Sequence, residues 1–111
     1  NCPTIFFPKD IGNGVSIIDK SICDYVSVDW HTPIDHARKI IDSELGIQGN
    51  MDPRIFYQDY SDIEKYLNSL INFGSQNQNW IFNLGHGFLP DIDHKKVKFV
   101  VDWIKDKDWN R

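Results

Sequence analysis

A histidine flanked by two glycines, His86, follows the apolar segment 80–84 almost directly. An imidazole can gain or lose a proton near neutral pH and can donate a hydrogen bond to a carboxylate. Glycines on both sides leave the backbone conformationally free and the ring unshielded. In a competing structural explanation, His86 is a loop residue that only caps the following helix. Its position at the end of a predicted strand favours a functional role.

Three further polar residues are predicted to lie at the ends of strands or just after them, and each also has a structural explanation. Asp29, beside Trp30, can orient a ligand or a basic partner, although acids at strand ends are often only turn formers. Asn50 lies in a Gly-Asn-Met-Asp-Pro sequence where Asn is a common turn residue, so a structural role is favoured. Lys9 can pair with a substrate carboxylate as a point charge, or it can be a solvated loop residue. These three residues form a second tier of candidates behind His86.

Possible metal ligands are present but poorly spaced. Cys23, His31 and His36 lack the close ligand pairs of structural zinc sites, and Cys2 lies on a different predicted unit. Two cysteines are too few for a disulfide framework, so both are expected to be free thiols. The sequence also lacks glycine-rich phosphate-binding motifs of the P-loop or dinucleotide type. We therefore predict no metal site.

Composition limits the possible classes of protein. The 111 residues, with a mass of 13.0 kDa, are enough for one domain, which we predict to span residues 1–111. A formal net charge of -4 disfavours a nucleic-acid partner, because phosphate binding requires clustered Lys and Arg. No apolar run approaches the roughly 20 residues needed to cross a bilayer, and no secretion signal is visible. The sequence therefore predicts neither a nucleic-acid nor a membrane partner.

Four segments are predicted to be β-strands, and a helical pattern follows each of them. The strands are predicted at residues 2–7, 24–30, 46–50 and 80–84. The third has weak strand propensity and is retained because it lies between two well-signalled helices. Alternating strands and helices predict a parallel sheet covered by helices.

The predicted helices have start and end signals in the sequence. Thr32 and Asp93 are expected to cap the second and fourth helices, and Ser61 is spaced for a capping box in the third. The second helix is predicted to end near Gly46 and the third at Gly74. The inward faces are predicted to consist of Val15, Ile18 and Ile22; Ala37, Ile40 and Ile41; Ile63, Leu67, Leu70 and Ile71; and Val97, Val101 and Ile104.

Two architectures fit this alternation, an open doubly wound sheet and a piece of a (βα)8 barrel. A whole barrel takes roughly 250 residues, so four strand-helix units correspond to half of one. In both architectures the loops that follow the strands gather on one face, where ligands bind. That face would carry Lys9, Asp29, Asn50 and His86.

Four short motifs resemble the C-terminal part of the uroporphyrinogen decarboxylase family in their order and spacing. They are Phe6-Phe7-Pro8-Lys9-Asp10, Val28-Asp29-Trp30, Gln48-Gly49-Asn50-Met51-Asp52-Pro53 and Asn83-Leu84-Gly85-His86-Gly87. The last two are highly specific, and the resemblance extends over essentially all 111 residues. It implies an α/β fold that is the C-terminal half, (βα)4, of a TIM barrel, with parallel strands and outer helices.

The resemblance also implies an activity. Family members remove the four acetate carboxyl groups of uroporphyrinogen to give coproporphyrinogen, without a metal or organic cofactor. A protonated pyrrole of the substrate acts as the electron sink. The aspartate that gathers the pyrrole N–H groups and the arginine motif that binds substrate carboxylates belong to the N-terminal half. His86 is therefore expected to bind substrate, and no catalytic residue is expected within these 111 residues.

Partners and location follow from the same resemblance. We expect the chain to bind uroporphyrinogen together with an N-terminal half-barrel, to be inactive alone and to self-associate through its exposed strand edges. The expected location is the cytoplasm, with the plastid as the alternative. Two other functions remain open, a non-catalytic binding module on the same fold and a cobalamin-dependent methyltransferase relative. Such methyltransferases hold zinc with a His-x-Cys pair, where this sequence has Phe7-Pro8-Lys9.

Overall fold

The computed structural model describes residues 2–8 and 12–109, and the chain divides into two compact units. The first unit comprises Asn1–Asp52 and Asn79–His86. The second comprises Pro53–Gln78 and Gly87–Arg111. The single domain expected over residues 1–111 stays a prediction.

The first unit contains a four-stranded parallel sheet. Its strands are β1 (Ile5–Phe6), β2 (Tyr25–Ser27), β3 (Gly46–Met51) and β4 (Trp80–Leu84), hydrogen-bonded in the order β1-β2-β3-β4. This sequential order is that of neighbouring strands in a (βα)8 barrel, whereas a doubly wound sheet reverses its order at a switch point. The predicted parallel α/β fold is confirmed, and these four strands do not close into a barrel by themselves.

The central strand β3 is the most buried of the four. It pairs with β2 through Val26 and Ile47, and with β4 through Ile47 and Trp80. Pairing on both sides compensates for the weak strand propensity of this glycine-rich sequence. The prediction of β3 from its position between two helices was therefore correct. By contrast, Ile5 and Phe6 of β1 are 48% and 42% exposed, because β1 pairs on one side only within the described sheet. The apolar sequence of residues 2–7 predicts a buried strand, and this prediction was wrong for β1.

A short 3-10 helix, Gly12–Ile17, stands where an α-helix was predicted after β1. Val15 and Ile18 are buried as expected, but Ile22 is 55% exposed. The Asp19 carboxylate accepts a hydrogen bond from the Ser21 backbone N–H at 2.9 Å and starts a turn that ends the helical pattern. Ile22 therefore does not lie on the buried face.

Helix α1 (Ile34–Ile40) completes the first unit and is shorter than predicted. No side-chain hydrogen bond caps its start, so the expected Thr32 cap does not form. Beyond Ile40 the backbone becomes extended, and Arg38 satisfies the carbonyl groups of the turn into β3. Its guanidinium donates to the backbone oxygens of Leu45 at 2.8 Å and Asp42 at 2.7 Å, and more weakly to that of Ile41. Burial lowers the pKa of Arg38 from its usual value.

We expect Arg38→Met to destabilise the protein by about 1–3 kcal/mol, because the carbonyl groups of the turn lose their donor while the aliphatic volume is retained. Equilibrium urea denaturation measures this change. Lys39→Met, at the neighbouring exposed position, is the control and should shift the free energy of unfolding by no more than about 0.5 kcal/mol. Equal effects of the two substitutions would show that the carbonyl contacts contribute nothing.

The second unit is helical. It contains a 3-10 helix, Pro53–Tyr57, and helices α2 (Tyr60–Ser69), α3 (Ile71–Gln76) and α4 (His94–Asp106). The predicted end of the third helix at Gly74 was wrong, because this glycine is buried inside α3. None of the helices within residues 2–8 and 12–109 is long and apolar enough to cross a membrane.

Helix α2 begins at a different cap from the predicted one. The Asp59 side chain accepts a hydrogen bond from the Asp62 backbone N–H at 3.0 Å, and Ser61 donates its hydroxyl to the same carboxylate at 2.8 Å. The Asp62 backbone hydrogen bond, with help from Ser61, lowers the pKa of Asp59. The expected capping box led by Ser61 is thus replaced by an aspartate cap two residues earlier.

Helix α4 is capped by Asp93 as predicted, with the Lys95 backbone N–H donating to its carboxylate at 2.9 Å. Its predicted inward face is displaced by one residue. Val100 is 1% exposed, whereas Val101 is 43% exposed. Residues 97, 100, 101 and 104 share one helical stripe, so spacing alone does not identify which of them lies at its centre.

Candidate functional site

His86 lies two residues beyond the carboxyl end of β4, on an exposed part of the first unit. The Gly85 backbone N–H donates to the Met51 carbonyl at 2.8 Å, which extends the pairing of β4 with β3 by one residue. The backbone that carries the imidazole is therefore fixed up to the preceding residue. This position, at the carboxyl end of a parallel strand, is the one predicted from the sequence.

Gly85 is required by a close contact with the loop after β2. A Cβ atom at this position would lie 2.7 Å from the Trp30 Cβ and 2.8 Å from the Trp30 Cα, and nearer still to the Trp30 backbone nitrogen. At Gly87 a Cβ atom would have none of the described atoms within 4 Å. The two glycines beside His86 thus differ: one permits backbone contact and the other leaves open space.

The loop after β2 presents Asp29, Trp30 and His31 in a fixed arrangement. The Asp29 carboxylate accepts a hydrogen bond from the His31 backbone N–H at 2.9 Å and lies 3.4 Å from its ring Nδ1. The His31 ring stacks on the Trp30 indole with centroids 4.0 Å apart and planes at 22°. The Asp29 side chain is 13% exposed and that of His31 is 61% exposed. Asp29 therefore acts as the turn former considered in the sequence, and it also orients an imidazole.

Asn50 is almost fully buried, with 8% of its surface exposed. Its side-chain amide nitrogen donates to the carbonyl oxygen of Asp29 at 2.8 Å and to that of Thr32. An amide has two N–H donors, and both are accounted for by these two carbonyl groups. Asn50 thus holds the loop after β2 against the end of β3.

The residue before Asn50 makes this approach possible. Gly49 has a φ of 141°, and a Cβ atom there would lie 2.8 Å from the Val28 carbonyl oxygen. A side chain would be strained in this conformation and would push the two strands apart. The Trp80 indole N–H donates to the Gly49 carbonyl at 2.9 Å, so the same peptide segment is also fixed from β4.

A small cavity lies beneath the Asp29 loop. Its volume is about 10 Å³, close to that of a single water molecule, and it is lined by Pro8, Val15, Ser27, Val28, Asp29 and Thr32. Lys9, the remaining sequence candidate, lies outside the described residues. The candidate site within residues 2–8 and 12–109 therefore combines the ends of β2, β3 and β4.

Several groups with shifted pKa values lie away from this edge. Asp24 directly precedes β2, and its pKa is lowered chiefly by the hydrogen bond from Lys20 Nζ at 2.6 Å and then by the Thr4 backbone N–H at 2.8 Å. Burial raises the pKa of the neighbouring Cys23 thiol, which disfavours the reactive thiolate. These groups lie just before the amino end of β2, outside the candidate site.

The described residues include no group of three His, Cys, Asp or Glu side chains placed to hold a metal ion. The available chemistry at the carboxyl edge is instead that of two exposed imidazoles, an indole face and a carboxylate. Imidazole N–H groups can donate hydrogen bonds to an anion, and here one imidazole is stacked on the indole of Trp30. These groups can bind a ligand that carries carboxylates.

The sequence model of the uroporphyrinogen decarboxylase family matches residues 1–107. The chain belongs to this family. It is 37% identical over 102 residues to the uroporphyrinogen decarboxylase of Wigglesworthia glossinidia brevipalpis, covering 92% of this chain and 28% of that protein. It is 35% identical over 102 residues to the uroporphyrinogen decarboxylase of Trichlorobacter lovleyi, and the matched residues cover 92% of this chain and 30% of that protein. The uroporphyrinogen decarboxylase of Helicobacter pylori strain G27 is 38% identical over 105 residues, which cover 95% of this chain and 30% of that protein. The chain thus spans about 30% of the length of these relatives.

In this member of the uroporphyrinogen decarboxylase family, sequence reasoning missed two features of the site. His31 was considered only as a possible metal ligand, although its spacing from Asp29 is that of a turn closed by an aspartate side chain. The contact between Gly85 and Trp30 has no local signal, because the two residues are separated by about half of the sequence. The first feature could have been predicted from the Asp-x-His spacing, and the second could not.

Proposed function

We propose that this chain is part of a uroporphyrinogen decarboxylase, which removes the four acetate carboxyl groups of uroporphyrinogen to give coproporphyrinogen. Relatives from three bacteria carry that enzyme's name. The observation that carries the proposal is the exposed imidazole of His86 at the carboxyl end of β4, in a chain whose residues 1–107 match the family. Ligands bind at this end of the strands in parallel α/β folds.

In this proposal His86 binds a substrate carboxylate through a ring N–H. Each decarboxylation breaks the bond between an acetate methylene carbon and its carboxyl carbon, releases carbon dioxide and places a proton on the vacated carbon. Binding the acidic side chains positions the macrocycle for this step. Lys9 and Asp29 remain proposed secondary contacts, whereas Asn50 is proposed to act by fixing the Asp29 loop. The groups that transfer protons are expected outside these 111 residues.

The test is turnover by the full-length protein that contains this chain. Under anaerobic conditions it should convert uroporphyrinogen to coproporphyrinogen, measured by chromatography after oxidation to porphyrins. Prior treatment with a strong chelator should leave the rate unchanged, because the proposal assigns no metal or organic cofactor. A folded full-length protein without turnover would contradict the proposal, and stoichiometric bound zinc in that protein would favour the methyltransferase relative.

The proposal includes two protein partners, the N-terminal half-barrel and a second copy of the chain. Strands β1 and β4 end the strand order of the described sheet, so each pairs on one side. Ile5 is 48% exposed on β1, and Ile81 is 38% exposed on β4. Unpaired edges with apolar side chains favour association with other strands.

We therefore expect residues 1–111, produced alone, to self-associate and to show no turnover of uroporphyrinogen. Sedimentation velocity at several micromolar concentrations measures the first expectation, and the chromatographic assay measures the second. A stable monomer would contradict self-association. Detectable coproporphyrinogen would show that the groups needed for proton transfer lie within this chain. A cytoplasmic location is also proposed, with the plastid as the alternative.

A further inference from the structure

We propose that His31 is a second substrate-binding residue, which donates a ring hydrogen bond to a carboxylate of the porphyrinogen beside the His86 contact. This inference rests on the proposed function. It assigns a ligand to a side chain that the resemblance and the comparisons leave without a role, and four observations on the first unit support it.

The orientation of the His31 ring is fixed by the residues before it. Asp29 accepts a hydrogen bond from the His31 backbone N–H at 2.9 Å, and its carboxylate lies 3.4 Å from the ring Nδ1. Because Nδ1 lies beside the Asp29 carboxylate, Nε2 is on the opposite edge of the ring. When both ring nitrogens carry protons, Nε2–H is a hydrogen-bond donor directed away from Asp29.

The ring is exposed although it is held in place. Its side chain is 61% exposed, and one face lies against the Trp30 indole with 4.0 Å between centroids. Stacking and the Asp29 contact restrict rotation of the side chain, which reduces the entropy lost when a ligand binds. An ordered, accessible imidazole can donate a hydrogen bond to a carboxylate.

The same loop contacts the segment that carries His86. Trp30, next to His31, contacts the backbone of Gly85, next to His86, so closely that a Cβ atom at Gly85 would overlap with it. The two imidazoles are therefore each one residue away from a direct contact between their loops. The proposal assigns two carboxylates of one ligand to these two neighbouring loops.

The loop after β2 is also held by hydrogen bonds from the buried side chain of Asn50. The Asn50 amide donates to the Asp29 and Thr32 carbonyl oxygens, which lie on the two sides of the Trp30-His31 pair. The position of His31 is thus determined by the end of β3 as well as by its own turn. The loop that carries His31 is therefore held in one position before a ligand binds.

The experiment uses the full-length protein and compares His31→Ala, His31→Arg and the control His36→Ala. His36 is an exposed histidine in the first turn of α1. Loss of a charge-assisted hydrogen bond should raise KM for uroporphyrinogen about 10-fold in His31→Ala, with kcat within about twofold of wild type. His31→Arg should restore most of the affinity, because a guanidinium also donates to carboxylates.

A second measurement does not depend on the variants folding. In wild-type protein labelled with ¹⁵N-histidine, coproporphyrinogen added anaerobically should shift the Nε2 signal of His31 and leave that of His36 in place. No shift at His31, or a KM in His31→Ala equal to that of His36→Ala, would overturn the inference. Absence of turnover in the wild type would instead overturn the proposed function, so the two failures are distinguishable.

Discussion

His86→Ala in the full-length protein is expected to raise KM for uroporphyrinogen by about 10- to 100-fold. A hydrogen bond to a charged group contributes about 1.5–3 kcal/mol, and each 1.4 kcal/mol corresponds to a factor of about ten in affinity. If the same carboxylate is bound in the ground state and in the transition state, kcat changes little. Steady-state kinetics at several substrate concentrations separates the two constants.

The stability of the His86 variant should be almost unchanged, because the side chain is exposed. His94→Ala is a matched control, since His94 is also exposed and is the first residue of α4. We expect the control to retain wild-type KM. If the His86→Ala protein has the wild-type KM, the proposed contact between His86 and the substrate is wrong, whatever the result for His94→Ala.

Gly85→Ala is expected to destabilise the protein by about 1–3 kcal/mol or more and to reduce activity at the same time. Its new Cβ atom would lie 2.7 Å from the Trp30 Cβ and overlap the Trp30 backbone, which belongs to an anchored loop and cannot move at low cost. Either the end of β4 or the Trp30 loop must shift, and both carry imidazoles of the site. Thermal unfolding and kcat/KM measure the two effects.

Gly87→Ala provides the comparison on the other side of His86. A Cβ atom there meets none of the described atoms within 4 Å, so we expect a change of no more than about 0.5 kcal/mol in stability. If the two alanine substitutions destabilise the protein equally, the effect at Gly85 is due to a general loss of backbone flexibility and not to its close contact with Trp30. A stable, fully active Gly85→Ala protein would contradict the described Trp30 contact.

The fold could be predicted because its signals are repetitive. Alternating apolar segments and helical patterns predicted four parallel strands, and β4 occupies the predicted residues Trp80–Leu84. Even β3, with its weak propensity, was located from its neighbours. Topology of this kind depends on the order of elements, which a single sequence contains.

Helix ends and faces were predicted less well, because they depend on particular side-chain contacts. α1 ends at Ile40, where Arg38 satisfies the following carbonyl groups, and α2 is capped by Asp59 although Ser61 has capping-box spacing. On α4 the spacing did not distinguish Val100 from Val101. In each case several residues satisfy the same local pattern, and tertiary packing selects one of them.

The site was predicted in part. The position of His86 follows from the strand that precedes it, and so does the turn-forming role of Asp29. The partners of Asn50 are 18 and 21 residues away in sequence, and no local pattern identifies such contacts. Asn50 was therefore predicted as a turn residue, whereas its amide spans the ends of two neighbouring strands.

The buried amide of Asn50 also links chemical ageing to the shape of this edge. Spontaneous deamidation would convert the side chain to a carboxylate, which accepts hydrogen bonds but cannot donate them. Two backbone carbonyl oxygens would then face a negative charge where they now receive N–H groups. Hydrolysis of this one side chain would leave the polypeptide unbroken. It would nevertheless remove the two hydrogen bonds that hold the Trp30-His31 loop at the carboxyl edge of the sheet.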